Sequence, residues 1–393
     1  MLLARPKPRT DETLESYLIR VGNVNGYKQS KPFLSALKRY LCNIDELRFE
    51  SLPTDLTVFN PCYSRQNSAS RTHAIRALSH LVFKEPVELQ QLTLNRANAK
   101  FSPSTTALIR QAELFPRSLL RKTNVPICPK CLAENGYARY WWHFLPYSSC
   151  HIHNSELLTQ CMCGHEIDYR HDGLFPHCPK CKVSYLEQQQ STSADVLELS
   201  FWLSGAQSSL YPDVSRSHRW GIAHWWYTQH DLKINVSEFN TFWSNWPQSL
   251  DEELDQQIQN AIEFRVKDLN ELTCREVMGA ILFNTVLLPN RNFHNNIIFK
   301  HVVRYLDEHM LDNNGFIANL RINSIEASLL LATSLDQVAS LVEQGLLKPN
   351  VRLKSNSTLS IKSYVFYLGD IFCLWLSDFQ SETYNRSVYV SRW

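Results

Sequence analysis

A chain of 393 residues with 44% apolar and 11% aromatic side chains is long enough for two or three ordinary hydrophobic cores. Its 40 Lys and Arg against 38 Asp and Glu leave a charge of +2, which excludes a protein that grips duplex DNA mainly through phosphates. No run approaches the ~18 uncharged apolar residues of a membrane-spanning helix, and the opening MLLARPKPRTDE lacks the apolar core of a secretion signal. No membrane is expected, and the expected compartment is the cytoplasm, where thiols stay reduced.

Residues 1–113 read as a helical domain. Thr10 or Asp11 is placed to cap a helix whose Leu14, Leu18, Ile19 and Val21 fall mostly on one side, with Glu12 and Glu15 near its positive end. Asn25-Gly26 ends it. A second helix is expected from Pro32 to Leu41, with Phe33, Leu34, Leu37 and Leu41 at helical spacing. A third, Ser70 to Phe83, repeats the pattern with Ile75, Leu78, Leu81 and Val82. Short helices joined by turns suit a helix-turn-helix-like bundle, and a plain helical bundle fits the pattern equally.

Residues 114–186 hold seven of the eleven cysteines. Cys128-Pro-Lys-Cys131 and Cys178-Pro-Lys-Cys181 enclose Cys150-His151-Ile152-His153 and Cys161-Met162-Cys163. Close ligand pairs let one tight turn supply two corners of a tetrahedron, and thiolate with imidazole suits zinc. Sequential assignment gives one site from Cys128, Cys131, Cys150 and His153 and a second from Cys161, Cys163, Cys178 and Cys181. Spacing alone leaves a cross-braced pairing open. Four protein ligands close each site, so both zincs are expected to be structural, holding together a segment with few core residues. His151 is expected to point away, and Cys42, Cys62, Cys274 and Cys373 read as ordinary thiols. With three thiolates on one Zn2+ and four on the other, the charge falls from +2 to about −1. Arg110, Arg117, Arg121, Lys122 and Lys130 form a local basic run, a candidate nucleic-acid or partner surface or else a solvated helix face. Tyr140, Trp141, Trp142 and Phe144 are expected to pack against the first site.

The polar stretch 187–194 reads as a linker. From 195 to 393 the chain again reads as helical, and Trp220, Trp225, Trp226, Trp243 and Trp246 suit a core better than a stacking platform. Segment 325–347 is a helix-turn-helix candidate. Ile325–Ala332 forms one helix, Ser334 caps a second from Leu335 to Gln344 with Leu335, Val338, Leu341 and Val342 inward, and Gly345 stops it. That second helix offers Asp336, Gln337, Ser340, Glu343 and Gln344 outward, two acids and no base, which is poor chemistry for reading a DNA groove.

The run RPKPRTDETLESYLIRVGNVNGY resembles the opening of TniQ proteins, and FPRSLLRKTNVPICPKCLAENGYARYWWHF with CHIHNSELLTQCMCG and CPKC resembles the zinc core of the TniQ/TnsD family. SLDQVASLVEQGLLKPN and GDIFCLWLSDFQSETYNRSVYVSRW resemble the short TniQ of type I-F CRISPR-associated transposons. The resemblance implies a mainly α protein: an N-terminal helix-turn-helix-like bundle, a central double zinc-finger module and a C-terminal helical domain with a helix-turn-helix-like unit. It implies a non-enzymatic adaptor with two structural Zn2+, a homodimer riding on the RNA-guided Cascade complex at its crRNA-processing subunit and adjacent backbone subunit. Such an adaptor helps recruit an AAA+ regulator and a transposase, and meets DNA mainly through the complex. The alternative is a direct, sequence-specific DNA-binding target selector, as in longer relatives.

Overall fold

The computed structural model describes residues 2–50, 52–58, 69–230, 235–289, 295–350 and 360–384. The chain is mainly helical, as expected, and falls into two compact units. The first comprises Met1–Lys100, Thr105–His224 and Ile234–Asn240.

In that unit α1 (Leu14–Val24), α2 (Ser30–Cys42), α3 (Glu46–Phe49), α4 (Ala69–Val82) and α5 (Pro86–Gln90) bury Tyr17, Leu18, Phe33, Leu34, Ile75 and Leu78. The cap of α1 is Thr13, whose hydroxyl accepts from the Ser16 amide, and not Thr10 or Asp11. Those two are spent elsewhere: Asp11 accepts from the Tyr137 hydroxyl at 2.9 Å and pairs with Arg139, and the Thr10 carbonyl accepts from Arg110. Asn25 and a left-handed Gly26 (φ 86°) end the helix.

The N-terminal segment is not helical throughout. β1 (Asn95–Ser102), β2 (Thr105–Arg110) and β3 (Glu113–Pro116) form a three-stranded sheet in that order. β2 and β3 pair antiparallel with Arg110 opposite Glu113 and Leu108 opposite Phe115. The two-residue connection Gln111-Ala112 closes because Gln111 takes φ 56°, a left-handed conformation of the kind such hairpins need.

The cysteine-rich segment supplies α6 (Pro129–Asn135), the short pair β4 (Ser149–Cys150) and β5 (Ser155–Glu156), and α7 (Tyr169–Asp172); α8 (Ala194–Ser204) and α9 (Arg216–Gln229) follow. It shares one core with the residues before it. The Thr13 amide donates to the Ala138 carbonyl (3.2 Å), the Tyr140 amide to Asp11 (3.0 Å) and the Ala138 amide to the Ser16 hydroxyl (2.9 Å). Phe115 packs on Tyr140, Phe144 and Trp220 at 5.1–5.7 Å between ring centres, so the aromatics between the ligand doublets are core. The stretch read as a linker is docked: the Glu156 amide donates to the Gln190 carbonyl at 3.1 Å, and Ser155 and Ser191 form a β-bridge.

The second unit comprises Phe101–Ser104, Trp225–Lys233 and Thr241–Trp393. α10 (Val236–Ser244) leads into it. Then come α11 (Gln248–Glu263), α12 (Cys274–Met278), α13 (Ile281–Thr285), α14 (Ile297–His309), α15 (Asp312–Gly315), β6 (Arg321–Asn323), α16 (Ser324–Leu330), α17 (Leu335–Glu343), β7 (Tyr364–Tyr367) and α18 (Leu368–Tyr384). Trp225, Trp226 and Trp243 are buried around Phe242, a core and not a stacking platform. α16 and α17 each start with a full capping box, Asn323 with Glu326 and Ser334 with Gln337, and the chain bends by 99° between them. Val338 and Leu347 are buried, Leu335 stays 38% exposed, and Gly345 (φ 70°) stops the helix. Among the described residues no single helix is long and apolar enough to cross a membrane.

Candidate metal centres

The eight expected ligands come together in two quartets, each with its donor atoms within 4.8 Å of one another. The pairing is sequential. In the first quartet Cys128 caps α6 and Cys131 lies in its first turn, with left-handed Gly136 (φ 66°) ending the helix. Cys150 ends β4, and His153 sits in the turn to β5. The His153 Nδ1 lies 3.4, 3.3 and 3.5 Å from the sulfurs of Cys128, Cys131 and Cys150, and the Cys131 and Cys150 sulfurs are 3.6 Å apart. In the second, Cys161 and Cys163 flank a tight turn in which the Gly164 amide donates to the Cys161 carbonyl at 2.8 Å. Cys178 and Cys181 flank another, closed by the Cys178 amide on Val183 and the Lys182 amide on Cys178, both 3.0 Å. The Cys161–Cys181 and Cys163–Cys178 sulfurs are 3.6 and 3.8 Å apart.

These separations decide between a metal and the alternatives. A tetrahedral ion bound at about 2.3 Å to sulfur and about 2.05 Å to nitrogen sets sulfurs about 3.8 Å apart and sulfur from nitrogen by about 3.6 Å. The observed spacings match this within a few tenths of an ångström. A disulfide would need about 2.0 Å. The sulfurs point at a common centre, so the residues fit one ion per quartet. Four ligands fill a tetrahedron and leave no position for water or substrate.

Further side chains support the ligands. The His153 Nε2–H donates to Glu134 at 2.9 Å, fixing the tautomer that leaves Nδ1 free to ligate. Glu134 stands three residues after Cys131 on α6, on the same helical face, a spacing that sequence reading passed over. The Tyr185 hydroxyl is buried without a hydrogen-bond partner among the described residues. His151 is turned away, its Nδ1 at 2.8 Å from the Tyr147 hydroxyl. Tyr169 bridges Thr13 (2.8 Å) and His143 Nε2 (2.7 Å). Burial, with the nearby cations Arg170 and Arg121, holds His143 well below the usual histidine range, so it is neutral. Asp168 accepts a forked pair of hydrogen bonds from Arg170, whose Nη2 also donates to the Thr123 carbonyl at 2.9 Å.

The basic run divides. Arg110 is 3% exposed: its Nη2 donates to the carbonyls of Thr10 (2.7 Å) and Glu12 (2.9 Å), and its guanidinium lies 4.2 Å over the Tyr140 ring. Arg121 donates to the carbonyls of Trp142 (3.0 Å) and Tyr147 (3.1 Å), and burial pulls it down to about 10, still charged at neutral pH. Both bond inward and saturate backbone carbonyls of the irregular chain. Arg117, Lys122 and Lys130 are exposed. Cys274 is buried and Cys373 exposed; Cys62 lies outside the described residues.

Helices stapled by two closed Cys/His quartets define a protein whose metal centres are built to hold shape. Residues 3–157 match the TniQ family model. The match takes in the first quartet and stops before the second. The family is non-enzymatic and transposition-associated, with a general targeting role. No curated protein matches the chain.

Proposed function

We propose that this chain is an RNA-guided transposition adaptor of the type I-F kind, held in shape by two structural zinc ions. As a homodimer it docks on the Cascade ribonucleoprotein, at the crRNA-processing subunit and the adjacent backbone subunit. There it helps recruit the AAA+ regulator and the transposase. Zinc is the ion because the donors are three thiolates with an imidazole and four thiolates, at spacings suited to a tetrahedral centre.

The observation that carries the adaptor reading over a direct DNA selector is the outward face of α17. It presents Asp336, Glu343 and Gln344 and no base, where a groove-reading helix needs Arg, Lys or Asn. With zinc the net charge is about −1, and Arg110 and Arg121 are consumed internally. Guide RNA then supplies sequence recognition and the adaptor supplies shape.

Co-elution of the purified, zinc-loaded chain with Cascade tests this. The complex should persist as salt is raised, while binding to free duplex should be weak, without sequence preference and steeply salt-dependent. Nanomolar, sequence-specific duplex binding by the chain alone at physiological salt overturns the adaptor reading and favours the direct selector.

A further inference from the structure

The segment after the second quartet runs back to the first. Tyr185–Gln188 form one turn of 3-10 helix, anchored where the Tyr185 amide donates to the Pro176 carbonyl at 2.9 Å, two residues before Cys178. Gln188 Oε1 then accepts from the amide of Met162 at 2.8 Å, the residue between ligands Cys161 and Cys163. Its Nε2 donates to the Ser184 carbonyl at 3.2 Å, which fixes which end of the amide faces Met162. The next residue turns to the other centre. Gln189 Nε2 donates to the Ser155 hydroxyl, two residues past ligand His153, and lies 4.0 Å from the Cys128 sulfur. Gln190 and Ser191 add backbone bonds to Glu156 and Ser155. Two adjacent glutamines thus hold one metal knuckle each.

We propose that Gln188 and Gln189 are positioning residues that couple the two metal centres, so that filling either one raises the affinity of the other for its ion. The inference rests on the reading of both quartets as metal sites. When the second site is filled, its knuckle is fixed, the Met162 amide is presented to Gln188 and the strap is ordered. Gln189 is then already in place beside Cys128 and Ser155 when the first ion arrives. The ordering cost is met once for two sites, which is positive cooperativity, and linkage makes it reciprocal. A hydrogen bond of this kind is worth a coupling on the order of fivefold in affinity.

The test uses the full chain and zinc competition with a chromogenic chelator. Cys163→Ser empties the second site, and the affinity of the first is read with and without it. In the parent, emptying the second site should weaken the first by about fivefold. In Gln188→Ala the same substitution should change it less than twofold, a loss of communication that local destabilisation around Gln188 would not produce. An unchanged first-site affinity in Cys163→Ser, or an equal loss in both backgrounds, overturns the proposal. Should Cys163→Ser not stay soluble, release from the intact chain reads the same property. The parent should lose both ions in one phase and Gln188→Ala in two, and identical release from both overturns the coupling. A parent chain that holds no zinc refutes the metal reading itself, a result distinct from two ions bound independently.

Discussion

Arg110 offers the sharpest separation of scaffold from surface. Replacing it with Ala removes two charge-assisted hydrogen bonds, at 2.7 and 2.9 Å, each worth about 1.5–3 kcal/mol, and a cation–π contact of about 1–2 kcal/mol. Against this stands the cost of desolvating the guanidinium, the same burial that lowers its pKa. The carbonyls of Thr10 and Glu12 are left without this donor, at the joint between α1 and the metal-bearing segment. The balance is a loss of about 3 kcal/mol, the lower end of what breaking a buried charged network costs. Equilibrium urea unfolding of the zinc-loaded chain should show the midpoint falling by about 1 M or more, whereas Lys122→Ala, on the surface, should leave it unmoved. A loss under about 1 kcal/mol in Arg110→Ala, accompanied by failure to bind the ribonucleoprotein, would refute the structural role and make Arg110 a contact residue.

Elemental analysis should find two zinc ions per chain, and Cys131→Ser should leave one firmly held ion with markedly lower thermal stability. Glu134→Ala should weaken the first site by roughly tenfold, the low end for an outer-shell partner because the carboxylate is 59% exposed, and leave the second site unchanged as long as the first stays filled. Stability should fall on acidification through buried histidines. Burial lowers His224 from 6.5 to about 4, so between those values the unfolded chain takes up a proton that the folded chain refuses. The effect is absent above pH 6.5 and amounts to about 2 kcal/mol at pH 5. His143 acts in the same direction. Urea midpoints at pH 7.5 and 5.0, with His224→Gln as the control that flattens part of the slope, check this.

The ligand quartets were legible because knuckle chemistry is local: each doublet is two or three residues apart and declares itself without the fold. The second helix of the 325–347 pair was legible for the same reason, since Ser334, Gln337 and Gly345 fix its start and stop within one short stretch. The sheet at Asn95–Pro116 was not, because β2 alternates only loosely, with adjacent Ala107 and Leu108 both buried, and its closing turn uses Gln111 in place of glycine. Thr13 displaced Asp11 as a cap through contacts more than a hundred residues away, with Tyr137 and Arg139. Arg110 and Arg121 illustrate the same limit. Composition counts charges, but only the fold tells which point at carbonyls and which at water.

That limit bears on function. The sequence suggested a basic run of five cations before and within the first knuckle; the fold leaves three of them on the surface. α1, the sheet and the metal-bearing segment are locked together by Arg110, Arg121, Arg139 and Arg170, all bonded inward. The arginines have been used to make loop-rich chain rigid. A rigid shape is what the proposed adaptor role asks for, since docking on a ribonucleoprotein in one orientation needs fixed geometry. A metal ion in each quartet would serve the same end, since a closed quartet gives an irregular segment the order that a small core cannot. On this argument the metal centres and the inward arginines are two parts of one arrangement. Removing either should damage docking only as far as it damages the fold.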